Sequence, residues 1–199
     1  MFATSLELLR FHWVAYTIYA LMIVSVIAWF GWNLTRKEKV RSIIRIPFYG
    51  YMAFLIMAGV GHHIFTYNSI PWVEEDIKRH EIKPDRSYLI EVADHKWKMP
   101  KLVAKEGERV MFDVRSKDLT YGFGLFRKDG TMVFQMQVVP KHKNTLLWTF
   151  RECGNFDIVS TEYSGPAQYD KETGEDLMFV KDGMVVECKE KNEKIAMKE

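Results

Sequence analysis

At 199 residues, with 28 basic and 26 acidic side chains, the chain has room for one modest domain plus extras and carries a formal net charge of only +2. Removing the six basic residues between Arg10 and Arg45 and the two acids Glu7 and Glu38 leaves 22 basic and 24 acidic side chains, so the remainder lacks the basic stripe that nucleic-acid binding needs. Apolar residues gather near the amino end rather than spreading evenly.

Between residues 11 and 35 there is no Asp, Glu, Lys or Arg, and residues 13–34 are long enough to cross a hydrocarbon core of about 30 Å as one helix. A second stretch of this kind covers residues 46–67. Trp13 and Tyr16 at one end of the first span, and Trp29 and Trp32 at the other, fall where interfacial aromatic belts form. A cleaved signal peptide needs a basic start, a shorter apolar core and a small-residue cleavage site. Here Glu7 precedes Arg10 and the run ends in Trp32-Asn33-Leu34, so a retained transmembrane hairpin over residues 1–71 is expected in the lipid bilayer. The connection at 35–45 holds Arg36, Lys37, Lys39, Arg41 and Arg45 against the single acid Glu38, an excess that keeps short loops in the cytoplasm. The expectation is a multi-pass protein of the cell (inner) membrane with both termini on the periplasmic or extracellular side.

Residues 72–87 read as a polar connector containing the acidic cluster Glu74-Glu75-Asp76, and residues 88–188 as a β-domain. Strand-like alternation occurs at residues 88–92, 110–114, 132–138, 145–150 and 156–159, separated by turn-rich pieces such as Lys128-Asp129-Gly130, the spacing of a β-sandwich or small barrel. Residues 189–199 form a charged tail. Cys153 and Cys188 both fall on the oxidising side, which permits a disulfide, and two small unpaired thiols fit the sequence as well.

The order of landmarks from Tyr88 to Lys171 resembles the periplasmic domain of subunit II of haem-copper respiratory oxidases, a cupredoxin fold that in most members holds the dinuclear copper centre CuA. His95-Lys96-Trp97 is similar to the family's aromatic segment, and Gly107-Glu108-Arg109-Val110 to a turn into the next strand. Ser116-Lys117-Asp118-Leu119-Thr120-Tyr121-Gly122-Phe123 resembles the stretch that carries the first copper histidine. Val139-Pro140-Lys141 stands where the family has a Pro-Gly turn, and residues 154–168 track the Gly-x-Tyr-x-x-x-Cys-x-x-x-Cys-Gly-x-x-His pattern. The fold class implied is two transmembrane helices followed by an all-β cupredoxin-like sandwich.

The ligands themselves are missing. Tyr121 occupies the first histidine position, Ser160 and Ser164 the bridging cysteines, Gln168 the second histidine and Lys171 the vicinity of the methionine. Glu162 matches the position that offers a backbone carbonyl. Serine hydroxyls stay protonated at neutral pH and do not replace bridging thiolates, so no copper and no other cofactor is expected in this chain. Tyr121, Ser160, Ser164 and Gln168 are expected to hydrogen-bond across the vacated pocket, while His80, His95 and His142 read as surface residues and Trp97 as packing. Within the family, loss of CuA goes with quinol as the donor. The resemblance therefore implies a non-catalytic subunit II, with haems and active-site copper in subunit I, other membrane subunits as partners, and oxygen or nitric oxide as acceptor.

His62 and His63, near the outer end of the second span, read either as quinol or proton contacts or as cheap interfacial side chains. Glu38 is a further proton-entry candidate, although five basic neighbours favour a solvated charge. Gly50, Ala53, Ala58, Gly59 and Gly61 offer small residues for close helix contact. The competing reading is a standalone membrane-anchored binding or assembly module without redox activity. No nucleophile–base set is evident, and Asp94 and His95 read as polar strand-edge residues.

Overall fold

The computed structural model describes residues 2–38 and 47–189. Lys39, Arg41 and Arg45 of the charged connection, Ile46 at the start of the second stretch, and residues 190–199 of the tail lie outside the described residues. The chain divides into a helical unit, residues 7–70 with Phe2, and a β unit, residues 71–189 with Ala3–Leu6.

Two helices dominate the helical unit: α1 (Ser5–Thr35) and α2 (Phe48–Ser69). At 1.5 Å per residue they are about 46 and 33 Å long, enough to cross a bilayer core of about 30 Å. Their apolar side chains point in every direction and lie exposed, Trp13 by 73% and Leu34 by 70%, so neither helix has the single apolar stripe of a soluble amphipathic helix. Polar side chains inside the helices fold back onto their own backbone. Thr17 Oγ1 donates to Trp13 O at 2.8 Å, Ser25 Oγ to Leu21 O at 2.7 Å, and Asn33 and Asn68 Nδ2 to Trp29 O and Ile64 O at 2.7 Å each. That arrangement satisfies hydroxyls and amides without water, as hydrocarbon requires. α1 begins at Ser5 rather than at residue 13, with the Glu7 carboxylate in its first turn facing the positive end of the helix dipole.

The stretch read as a connector contains α3 (Pro71–Ile77), and two of its acids, Glu75 and Asp76, are anchors to β7 (Asn144–Thr149) and the residues just after it. Asp76 accepts the Leu147 amide at 3.2 Å, and Glu75 accepts the Thr149 hydroxyl at 2.7 Å and an Arg151 guanidinium nitrogen at 2.5 Å. Trp72 packs on Trp148 with ring centroids 5.4 Å apart.

Among the described residues nine strands follow: β1 (Arg86–Ala93), β2 (Lys96–Lys98), β3 (Leu102–Lys105), β4 (Arg109–Ser116), β5 (Tyr121–Phe126), β6 (Met132–Val138), β7 (Asn144–Thr149), β8 (Gly154–Val159) and β9 (Val180–Glu187). They form a four-stranded sheet ordered β2-β1-β4-β7 and a five-stranded sheet ordered β3-β9-β8-β5-β6. β1 runs parallel to β4 and β3 parallel to β9; the other pairs are antiparallel. The chain changes sheets between β2 and β3, and the result is a cupredoxin-like sandwich.

β4 shows how its residues specify this. Val110, Phe112 and Val114 alternate inward and are fully buried, and Phe112 meets Phe123 and Phe134 of the opposite sheet at 5.5 and 5.4 Å. Each such aromatic pair contributes roughly 0.5–1.5 kcal/mol beyond its buried area. Cys153, just before β8, and Cys188, just after β9, form a disulfide with Cα atoms 5.0 Å apart, which resolves the two alternatives the sequence left open.

Candidate functional site at the β5 end of the sandwich

β5 opens with Thr120-Tyr121-Gly122, and three loops converge on these residues. The Tyr121 side chain is fully buried against His95 and Trp97, with ring centroids 5.7 and 6.4 Å away. Its hydroxyl donates to Asp118 Oδ2 at 3.1 Å and accepts the His95 amide at 3.3 Å. The Asp94 amide donates to the same carboxylate oxygen at 2.7 Å, and the Leu119 amide to Oδ1 at 2.8 Å. Asp94 and His95 both have left-handed φ, 50° and 56°, the backbone of a tight two-residue hairpin turn between β1 and β2. Burial raises the Tyr121 phenol, and the adjacent Asp118 charge adds to that. For Asp118, desolvation pushes upward, but the Asp94 and Leu119 amides and the Tyr121 hydroxyl outweigh it and hold the carboxyl below its ordinary value.

The β8–β9 connection covers the rest. Ser160 is buried; its hydroxyl donates to the Glu162 carbonyl at 3.0 Å and accepts the Gly122 amide at 3.3 Å. The Ser164 hydroxyl donates to Thr120 O at 2.8 Å. Gln168, 2% exposed at the end of a 3-10 turn over Pro166–Gln168, accepts the Ser164 amide at 3.0 Å and donates from Nε2 to the Asp176 carboxylate at 3.2 Å. Thr161 lies directly on Gly122: a Cβ there would stand 2.0 Å from Thr161 Oγ1 and 2.7 Å from Thr161 N, so only glycine lets this loop close.

Tyr121, Ser160, Ser164 and Gln168 thus meet around one short segment. Glu162 contributes its carbonyl while its side chain is exposed, and Lys171 is exposed beyond the turn. His62, His63 and Glu38 belong to the helical unit. The two histidine rings lie 5.9 Å apart, and the exposed Glu38 stands 3.9 Å from Arg36. One expectation is corrected. His80 and His142 are exposed, but His95 is 8% exposed and its Nδ1 is buried without a hydrogen-bond partner, because the tight turn tucks the ring against Tyr121. Trp97 packs on Phe123 at 5.7 Å and donates from Nε1 to Met178 O at 2.9 Å, a packing role.

A dinuclear copper centre does not fit these residues. Both serine hydroxyls donate to backbone carbonyls, and none of Tyr121, Ser160, Ser164 and Gln168 carries the thiolate or imidazole that such a centre takes as ligands. The two cysteine sulfurs are joined at the other end of β8, about 20 Å from Ser160 at the rise of an extended strand. Among the described residues no three His, Cys, Asp or Glu side chains are grouped to hold a metal ion. Sequence reasoning missed Asp118 as the hub for Tyr121, although it named the stretch, and Asp176, which nothing in the local pattern marks.

No protein-family model matches this chain, and no curated protein matches it. Solved structures do share similarity with it. The periplasmic domain of subunit II of cytochrome oxidase (CoxB) of Bradyrhizobium japonicum is 13% identical, over 55% of this chain and 88% of that one, with a TM-score of 0.38. Auracyanin B is 8% identical over 55% and 92% of the two chains, with a TM-score of 0.40. A chain of a heme-copper terminal oxidase dimer is 16% identical over 59% and 87%, with a TM-score of 0.40.

Proposed function

We propose that this chain is the non-catalytic, membrane-anchored subunit II of a haem-copper terminal oxidoreductase complex in a respiratory electron-transport chain, with its CuA site lost and quinol as the electron donor. Oxygen or nitric oxide is reduced in subunit I, which carries the haems and the active-site copper. The observation that carries this reading is the closed pocket: at the positions where the resembled family places copper ligands, Tyr121, Ser160, Ser164 and Gln168 spend their polar atoms on protein partners. A buried hydroxyl or amide left unpaired costs about 1–3 kcal/mol, so such a network keeps the domain folded without metal. Single electrons then have no CuA relay through this domain, and the donor is one that reacts within the membrane. The two bilayer-length helices and the basic connection between them support an anchor with the β-domain on the periplasmic or extracellular side.

The test is purification through a tag on this chain in mild detergent, followed by visible and near-infrared spectra, metal analysis and quinol oxidation with oxygen and with nitric oxide. Haem and copper with no CuA band, together with quinol-dependent turnover, is the expected result and names the acceptor. A colourless chain that purifies alone overturns the proposal and leaves a membrane-anchored binding or assembly module.

A further inference from the structure

The balanced composition of the β-domain hides a local excess of positive charge on the outer face of its four-stranded sheet. Register sets Lys98 of β2 opposite Glu91 of β1, and Glu91 beside Arg115 of β4, so one row across the sheet reads base, acid, base. Two open grooves meet at Glu91. One, of about 410 Å³, is lined by Arg115, Ser116 and Lys117 on one side and by Lys141, His142 and Lys143 of the β6–β7 turn on the other. The second, of about 460 Å³, is lined by Leu89, Lys98, Met99 and Pro100. The joint surface therefore has a basic end and an apolar end, and Glu91 is the one carboxylate in its lining.

The nearby acids are already committed. Glu91 accepts Lys117 Nζ at 2.9 Å, and Asp113 accepts Arg115 Nη2 at 2.8 Å. The Lys117 hydrogen bond and charge, followed by the charges of Lys98 and Arg115, hold the Glu91 carboxyl below its ordinary value, as positive surroundings do. Lys141 and Lys143 are exposed and have no carboxylate partner among the described residues. Their turn is pinned by the Asn144 side chain, whose Nδ2 lies 3.1 Å from Val114 O and Val139 O and 3.2 Å from His142 O, and whose Oδ1 accepts the Val139 amide at 3.2 Å. A turn held this way presents its charges at little ordering cost on binding. At the apolar end Leu89 is 52% exposed, with Met99 and Pro100 beside it.

A ligand complementary to this surface carries carboxylates next to an apolar side chain. Anionic headgroups of a membrane keep their apolar chains below the charged layer, whereas an acidic polypeptide presents both at one level. β2 is also the outermost strand of its sheet, and an open strand edge pairs with polypeptide backbone, which a lipid headgroup lacks. We propose that this face is a docking groove for an acidic polypeptide segment of a partner protein, with Lys141 and Lys143 meeting its carboxylates and Leu89 its apolar side chain. The inference is independent of the oxidase reading and of the network at Tyr121.

The experiment uses the full chain in phosphatidylcholine nanodiscs and a fluorescent random copolymer of glutamate and tyrosine as probe, with polyglutamate and phosphatidylglycerol vesicles for comparison. The variants are Lys141→Gln with Lys143→Gln, Leu89→Ser alone, and Lys83→Gln with Lys181→Gln, which removes the same charge outside the groove. All five positions are exposed, so the variants keep the fold. The parent chain binds the copolymer saturably and more tightly than polyglutamate, and rising salt weakens both. Losing Lys141 and Lys143 weakens copolymer binding about three- to tenfold, while the control pair leaves it unchanged. Leu89→Ser weakens copolymer binding about two- to threefold and leaves polyglutamate binding as it was, a split that non-specific charge attraction does not produce. An equal loss from the control pair, or no loss from either groove variant, overturns the docking groove. Co-sedimentation with phosphatidylglycerol vesicles that depends on Lys141 and Lys143, without copolymer binding, overturns it in favour of a membrane-contacting surface.

Discussion

The two ends of β8 are closed by different means. At Gly154 the strand leaves a disulfide, Cys153–Cys188, that ties it to the end of β9. At Val159 it enters a loop held by hydroxyls and amides, Ser160, Ser164 and Gln168, around the first residues of β5. The covalent end gains its stability mainly by restricting the unfolded chain and depends little on its neighbours. The polar end is a network whose members each need the others, because every partner removed strands a buried group. One strand therefore connects a region tolerant of local change with one that is not.

The largest expected effect is at the polar end. Tyr121→Ala removes a fully buried aromatic ring and is expected to cost about 3–5 kcal/mol in chemical denaturation of the detergent-solubilised chain. Tyr121→Phe, which keeps the ring, isolates the hydroxyl and is expected to cost about 1 kcal/mol. Equal losses for the two would mean that the hydroxyl network, not the ring, dominates.

Next comes the covalent end, where the disulfide spans a sequence separation of 35. Cys153→Ser with Cys188→Ser is expected to lower stability by about 2–4 kcal/mol, read from the same denaturation midpoint. Because β8 separates the two ends, adding Gln168→Leu should give a loss close to the sum of the separate losses; a large departure would show that the ends are coupled.

Gln168→Leu alone leaves the Ser164 amide and the Asp176 carboxylate short of a partner and is expected to cost about 1–3 kcal/mol. A neutral result in thermal melts would mean that water reaches this loop.

The smallest effect is electrostatic. Asp118 has a carboxyl held below its ordinary value in the folded protein, so it contributes stability above the unfolded carboxylate pKa of about 3.9, and that contribution disappears as pH falls through the lower folded value. Asp118→Asn is expected to flatten the acid limb of a stability–pH curve and leave its slope near neutrality unchanged. An unaltered acid limb would remove Asp118 from the network's energetics.

How much of this was legible beforehand depended on whether a residue's role was local. Residues 132–138 coincide with β6, and the alternating cores of β1, β4, β7 and β8 were marked by period-two patterning. β5 was not recognised as a strand because both of its faces are covered, leaving no alternation in Tyr-Gly-Phe-Gly-Leu-Phe. β2 and β3 are too short to show a period, and β9 carries Lys181-Asp182-Gly183 inside it, a turn signal that its pairing with β8 overrides at a register shift. At the candidate site, the order of landmarks located Tyr121, Ser160, Ser164 and Gln168, yet it could not say that Tyr121 turns to Asp118 rather than to the serines.

The sequence by itself determined two helices of bilayer length, an alternating β-domain after them, and the absence of cysteine and histidine at the positions where the resembled family binds copper. Those features are written in runs and periods, and each residue's contribution is independent of distant partners. Only the tertiary structure decided that Cys153 meets Cys188, that His95 is buried, that Glu75 and Asp76 anchor a helix, and that Thr161 requires a glycine at position 122. Each of these is a contact between residues far apart in the chain, set by how two sheets and their loops close on one another.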